Sequence, residues 1–254
     1  MADDEVPLAC VIWNIHRGRG KDGVVDPERA VRVLREEVRP PDLHVLVLQE
    51  ADEEGPPHRG FLDLALVEAA TGLRHVHVGL ARRWGPDSHG FLGTVVFMHP
   101  EARIDDVALV DLPGHCHRGA VVVDFDLAGR ALRLVGTHLS LLQALRLAQM
   151  RTIGQHLFRR VERPTVVCGD LNEWRPWGGL ALSRRVTGLR LDGPVRATFP
   201  AGRPLLPLDR ILVSPPGRVV SAEVLDGPGI RMASDHRPLA ARVAFPDRTI
   251  ASRR

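Results

Sequence analysis

Six stretches of this 254-residue chain place, at or beside the end of an apolar run, a side chain that a buried strand avoids: Asn14, Glu50, His138, Asp170 with Asn172, Asp209, and Asp235 with His236. A carboxylate or amide taken out of water without a partner is costly, so such residues belong where a strand runs out into a loop or a cleft. Were those ends to meet on one edge of a packed sheet pair, carboxylates, amides and two histidines would face a common space. That set suits metal-assisted attack of water on a phosphoester. Donors that are mostly oxygen favour Mg2+ or Mn2+ over zinc.

The segment Thr165-Val166-Val167-Cys168-Gly169-Asp170-Leu171-Asn172 carries the pattern most fully. Its uncharged β-branched and thiol side chains read as a buried strand, and Asp170 and Asn172 stand close enough to reach into one pocket. An ordinary strand-to-loop turn uses the same residue types, so the segment takes its meaning from the others.

Leu8 to Ile15 is nearly continuous apolar sequence broken by Asn14, and Leu43 to Leu48 is a second such run that opens onto Gln49-Glu50. Between them, Asp26 and Pro27 are a good N-cap and first helical position, followed by Ala30, Val31, Leu34 and Val38 at helical spacing. A second helix is expected from about Phe61 to Ala70, stopped by Gly72. Short strands are then expected at roughly Arg74 to Leu80, Leu92 to Met98, Arg103 to Val110, Gly119 to Asp126 and Ala131 to Thr137. Asp124 and Asp126, alternating with Val121, Val123 and Phe125, predict a more exposed antiparallel arrangement there. Leu139 to Arg160 has the length of a helix, weakened by Gly154. Beyond Asn172 come a short helix near Gly178 to Arg185, strands at Leu208 to Val213 and Arg218 to Val224, the turn Ser234-Asp235-His236, and a closing strand from about Pro238 to Phe245.

The length suits one large domain over residues 1–254 with a core at about 8–246, and no repeat or linker divides it. A net charge of +3 is too small to identify a nucleic-acid partner. Lys21 is the only lysine, and a coding bias toward arginine explains that skew as well as phosphate binding does. Cys10, Cys116 and Cys168 lack metal-type spacing, and Cys10 and Cys168 sit in apolar runs where a thiol acts as a small hydrophobe. Asp3, Asp4 and Glu5 stand where a signal peptide would be basic, and no run is long and apolar enough to span a membrane, so a cytoplasmic protein is the expectation.

Taken in order, Trp13-Asn14-Ile15-His16, Leu48-Gln49-Glu50, Arg118-Gly119-Ala120, Thr137-His138-Leu139, Gly169-Asp170-Leu171-Asn172, Thr198-Phe199-Pro200, Leu208-Asp209-Arg210-Ile211 and Ser234-Asp235-His236-Arg237-Pro238 resemble the motifs of the endonuclease/exonuclease/phosphatase superfamily. The resemblance implies a four-layer α/β sandwich, two mainly antiparallel sheets packed face to face with outer helices, and an active site at one end. It implies that Glu50 is the principal metal ligand, helped by Asn14 and Asp235, with Mg2+ or Mn2+ as the cation. Asp170 and Asn172 would orient the attacking water and hold a phosphate oxygen. His236, paired with Asp209, would act as general base or as a phosphate-binding imidazolium. The pairing has a physical reason, since a carboxylate fixes the imidazole tautomer and raises its basicity. His138, and with it Arg118, would donate to the phosphoryl oxygen as charge builds up. His16, Arg17, Arg19, His44, His75, His77, His115 and His117 match no family position, His115-Cys116-His117 reads as a loop, and Asp42 and Asp52 read as turn residues.

The implied activity is divalent-metal-dependent hydrolysis of a phosphodiester, nuclease-like, with a phospholipid headgroup phosphodiesterase or a phosphomonoesterase as the alternative and a silent binding module as the least favoured reading. Nucleic acid and phospholipid are thus both partners to test, and the oligomeric state is left open. The chain has no tyrosine, so the phosphate-contacting tyrosine of apurinic endonucleases is missing, which speaks against abasic-site repair. Trp174 and Trp177, just past the Asp170 loop, are read first as a loop anchored in the core and otherwise as a base-stacking or lipid-interface pair.

Overall fold

The computed structural model describes residues 7–175 and 177–246, so Asp3, Asp4 and Glu5 lie outside the described residues. Eleven strands form two sheets among these residues. The first is built from β1 (Leu8–Asn14), β2 (Val45–Gln49), β3 (Arg74–His75), β4 (Val95–Met98), β10 (Arg218–Val224) and β11 (Leu239–Ala244), in the order β10-β11-β1-β2-β4-β3. The second runs β5-β6-β7-β8-β9 through β5 (Arg103–Leu112), β6 (Arg118–Leu127), β7 (Arg130–His138), β8 (Thr165–Asp170) and β9 (Asp209–Val213). Only β1 with β2 and β7 with β8 pair in parallel; the other neighbours are antiparallel.

Period-two alternation explains the layers. Cys10, Ile12, Val45 and Val47 of the first sheet meet Val121, Val123, Leu134, Cys168 and Ile211 of the second in one buried core between the sheets. The alternate residues of the first sheet, among them Val11, Trp13, Leu46 and Leu48, pack under α1 (Pro27–Val33), α2 (Leu64–Thr71) and α5 (Pro228–Ala233). Those of the second, among them Val122, Val135 and Val167, pack under α3 (Gln143–Phe158), with α4 (Arg184–Thr187) beside it. This is the four-layer α/β sandwich the resemblance implied.

Local signals behaved as their chemistry requires in several places. Asp26 caps α1 by accepting the Arg29 N–H, with Pro27 in its first turn, and Gly72 ends α2 in the left-handed region. Two expectations need correction. The strand expected at Arg74 to Leu80 stops after His75 and becomes a 3-10 turn at Leu80–Arg82. Strand β6 lies between β5 and β7 and is buried along most of its length, because Arg133 of β7 pairs with Asp124 and removes the penalty that the sequence pattern read as exposure. Gly154, a weak residue for a helix, sits in α3 where a Cβ would come within 2.1 Å of the Thr187 carbonyl oxygen, so α3 and α4 can approach only over a glycine. Helix α5 was not anticipated.

Three buried groups in the core give measurable consequences. His77 donates from Nδ1 to the Arg82 carbonyl (2.6 Å) and accepts the Val96 N–H at Nε2 (3.1 Å), so it is held neutral in one tautomer. Burial lowers its pKa to about 4, against an ordinary 6.5. A folded-state pKa below the unfolded one means that the unfolded chain takes up the proton first. Stability is therefore expected to be intact above pH 6.5 and to fall by about 3 kcal/mol from this group as pH drops toward 4. Urea titrations across that range check it, and His77→Gln should flatten that part of the slope. Cys10 and Cys168 are buried between the sheets with thiols pushed up, Cys10 to about 12, whereas Cys116 is exposed. Native protein should react with a thiol reagent at one position and at three after denaturation; rapid native labelling of Cys10 or Cys168 would mean that the sheets part readily.

Candidate active site

Strand register assembles the centre of the site. His138 at the end of β7 stands opposite Asp170 at the end of β8, and Asp170 stands opposite Asp209 at the start of β9. All three follow the alternation that points Leu134, Cys168 and Ile211 into the space between the sheets, so the row faces the other sheet. Asn14 ends β1 on that other sheet and closes the gap, donating from Nδ2 to Asp170 Oδ2 at 3.0 Å. Asn14 is opposite Gln49 in the parallel β1–β2 pair, which puts Glu50 next to it at the same edge.

Asp170 is the hub. Besides Asn14 it accepts the Asn172 N–H (3.0 Å) on Oδ1, and His138 Nε2 lies 3.3 Å and His236 Nε2 3.8 Å from Oδ2. Asn172 turns on a left-handed backbone, φ +50°, and its amide donates to the Leu139 carbonyl (2.9 Å), tying together the loops that leave β7 and β8. His236 Nδ1 bonds Asp209 Oδ2 at 2.8 Å, Thr198 Oγ1 donates to the same oxygen, and the Phe199 ring packs on the imidazole at 4.9 Å. The His236 backbone is pinned from both sides: Ser234 Oγ accepts its N–H, and Trp13 Nε1 donates to its carbonyl.

Electrostatics follow from that geometry. Burial, and then the Asp209 carboxylate, raise Asp170 to about 6. Burial disfavours the His236 cation, but the carboxylates of Asp209, Asp170 and Asp235 outweigh it and bring His236 to about 10. His138 is held well below its ordinary value by burial and by the nearby Arg118 and His236. Arg118 Nη1 lies 3.1 Å from His138 Nδ1, so the neutral ring accepts there and carries its proton on Nε2, toward Asp170.

Glu50 stands apart from this row. It has φ +55°, and Arg17, itself at φ +50°, approaches its Oε2 at 2.9 Å. Non-glycine residues in that region are uncommon and concentrate where function constrains the backbone. Glu50, Arg17 and Arg118 line one cavity together with His58 and His117. Asp235 is half-exposed and lies 3.6 Å from His16 Nδ1. The structure thus brings Asp170, Asp209 and His236 within 4.8 Å of one another, with Asn14, Asn172 and His138 in direct contact, while Glu50 and Asp235 flank the group.

Sequence reasoning missed Arg17, Thr198 as the second partner of Asp209, and Asp52. Asp52 is no surface turn residue, since it is buried and accepts the N–H groups of His89, Gly90 and Gly93. Thr198 had a signal, its place in the Thr198-Phe199-Pro200 motif; Arg17 had none beyond following Asn14 by three. Trp174 and Trp177 are not core anchors, being 50% and 69% exposed.

A four-layer sandwich with a buried row of carboxylate, amide and imidazole at one end of its paired sheets defines a class of phosphoester-cleaving enzymes. A model of the Endonuclease/Exonuclease/phosphatase family matches residues 11–236, and the chain belongs to that family. The uncharacterized protein YbhP of Escherichia coli K12 is 26% identical over 211 residues, covering 71% of this chain and 83% of YbhP. The Bacteroides thetaiotaomicron mannosyl-6-phosphatase has a similar fold, with a TM-score of 0.68 at 17% identity over 94% of this chain and all of that one. So has D. rerio TDP2 complexed with single strand DNA product, at a TM-score of 0.67 and 16% identity, over 94% and 99% of the two chains. Enzymes of this family are typically divalent-metal dependent. Among the described residues no helix is long and apolar enough to cross a membrane.

Proposed function

We propose that the chain is a divalent-cation-dependent hydrolase of phosphodiester bonds. The observation that carries this reading is the buried convergence of Asp170, Asp209 and His236 within 4.8 Å, with Glu50 on the flank at the same sheet edge. The donor set suits a hard cation at Glu50, whose Oε2 is buried with no hydrogen-bond partner among the described residues and only the ion-pair approach of Arg17. Glu50, with Asn14 and Asp235, would hold Mg2+ or Mn2+. That ion supplies Lewis-acid polarisation of a phosphoryl oxygen.

The chain's own residues do the rest. Asp170, lifted toward neutral pH by its surroundings, takes the proton of the attacking water, and Asn172 orients it. Of the two roles for His236, the imidazolium is the better supported, because Asp209 keeps it protonated to about 10 and so aims a charged donor at the phosphate. His138 Nε2–H and Arg118 donate to the oxygen that gains charge. The sequence puts nucleic acid first as substrate, and the likeness to TDP2 with its DNA product supports that at the level of fold. The exposed leucines and tryptophans on the loops after His138 and Asn172 favour the second reading, a phospholipid headgroup phosphodiesterase.

With Mg2+ or Mn2+ the purified chain is expected to hydrolyse bis-p-nitrophenyl phosphate and at least one of DNA, RNA and phospholipid. EDTA should abolish the activity and excess cation restore it. Failure on the whole panel, or full activity in EDTA, would sink the reading.

A further inference from the structure

We propose that the loops leaving β7 and β8 form a docking surface for an anionic phospholipid bilayer, set around the mouth of the site. The proposal rests on the hydrolase reading for what it would present to the site, but the binding itself needs no turnover. Leu141 and Leu142 on the first loop are 75% and 62% exposed, and on the second Trp174, Trp177 and Leu180 are 50%, 69% and 53% exposed. Five large apolar side chains held in water on two adjoining loops need a covering partner in a way that scattered surface leucines do not.

These loops are fixed from beneath. Arg146, Glu173 and Arg210 are all buried: Arg146 donates to the carbonyls of Ser140 and Leu141 and lies 3.6 Å from Glu173. Arg210 donates to the carbonyls of Glu173 and Arg175, and Arg175 reaches across to Gln143. The same loops are joined at the site by the Asn172 bond to Leu139. The apolar tips are therefore presented by a rigid mount that begins at His138 and Asp170, with little ordering left to pay for on contact.

Charge selects the partner. From Trp174 to Leu191 the sequence has Arg175, Arg184, Arg185 and Arg190 and no acidic residue, and from Leu127 to Val161 it has none either. Trp177 and Leu180 share a cavity of about 460 Å³ with Arg184, Arg190 and Asp192; Asp192 pairs with Arg190 and Glu173 with Arg175, which leaves Arg184 and Arg185 as the cations of this patch with no carboxylate partner among the described residues. Tryptophan and leucine beside the unpaired Arg184 and Arg185 are the composition that sits at the headgroup level of an anionic leaflet. Single-stranded nucleic acid would use the tryptophans and arginines, but Leu141, Leu142 and Leu180 have no π-face on which a base can stack.

The test is sedimentation of the full chain with vesicles of phosphatidylcholine alone or with one third phosphatidylglycerol. Binding is expected to the anionic vesicles, weakened by salt, with a blue shift of tryptophan emission. Leu141→Ser and Trp177→Ser should each lower the partition coefficient about tenfold, and neither should change hydrolysis of bis-p-nitrophenyl phosphate. Absence of vesicle binding, binding that both variants retain in full, or tryptophan quenching by oligodeoxythymidine without vesicle binding would each overturn the proposal. Vesicle binding by a protein that hydrolyses nothing would uphold the surface and defeat the hydrolase reading instead.

Discussion

His236→Ala is expected to lower kcat/KM for a phosphodiester about 1,000-fold, and Asp209→Asn about as much, with the fold retained in the second case. His236 Nδ1 and Asp209 Oδ2 are 2.8 Å apart in a buried site, and the imidazole has Asp170 on its other side at 3.8 Å. Removing the ring takes away a fixed cation from the place where phosphoryl charge develops. Asparagine at 209 keeps the shape and can still accept from Thr198, but it no longer supplies the charge that keeps His236 protonated or fixes its tautomer. Steady-state kinetics on bis-p-nitrophenyl phosphate, with thermal unfolding as the folding control, would measure both. Because the two residues act as one unit, the double variant should lose little more than either single one. Unchanged activity in His236→Ala would assign the proton chemistry elsewhere or the activity to a contaminant.

Gly169→Ala should be the most damaging small substitution in the chain, costing about 3–5 kcal/mol and lowering the melting temperature by about 10 °C. Gly169 has φ +134°, and a Cβ there would fall 1.9 Å from the Thr137 carbonyl oxygen, which is backbone of the paired strand. The methyl group can be accommodated only if β8 moves away from β7, which also moves Asp170 relative to His138. Activity should therefore fall further than the loss of folded protein explains. Calorimetry and kinetics on the folded fraction separate the two effects, and a melting temperature within about 2 °C of wild type would contradict the close strand approach.

The order of the elements and the residues of the site were legible because each is a local chemical statement. An apolar run that ends on Asp170, Glu50 or His138 marks a strand end whatever the rest of the chain does, and Asp26-Pro27 marks a helix start. The exposure of a strand is a different kind of property. Asp124 spoke for solvent in β6 until Arg133, from the neighbouring strand, was found to pair with it. Arg17 and Asp52 likewise looked idle, since their partners Glu50, Gly90 and Gly93 lie more than 30 residues away in sequence.

The same division holds for the site. By itself the sequence determined the inventory: which carboxylates, amides and imidazoles exist, that they close apolar runs, and that phosphoester chemistry with a hard cation suits them. Only the tertiary structure decided which of them touch. The β7-β8-β9 register sets His138, Asp170 and Asp209 in one row, and the packing of the second sheet brings Asn14 onto Asp170 while Glu50 and Asp235 stay at the flanks. It also turned Trp174 and Trp177 outward on loops held from below by Arg146, Glu173 and Arg210. Side-chain type is written residue by residue, whereas distance, burial and charge state depend on residues far apart in the chain that meet only when the two sheets close.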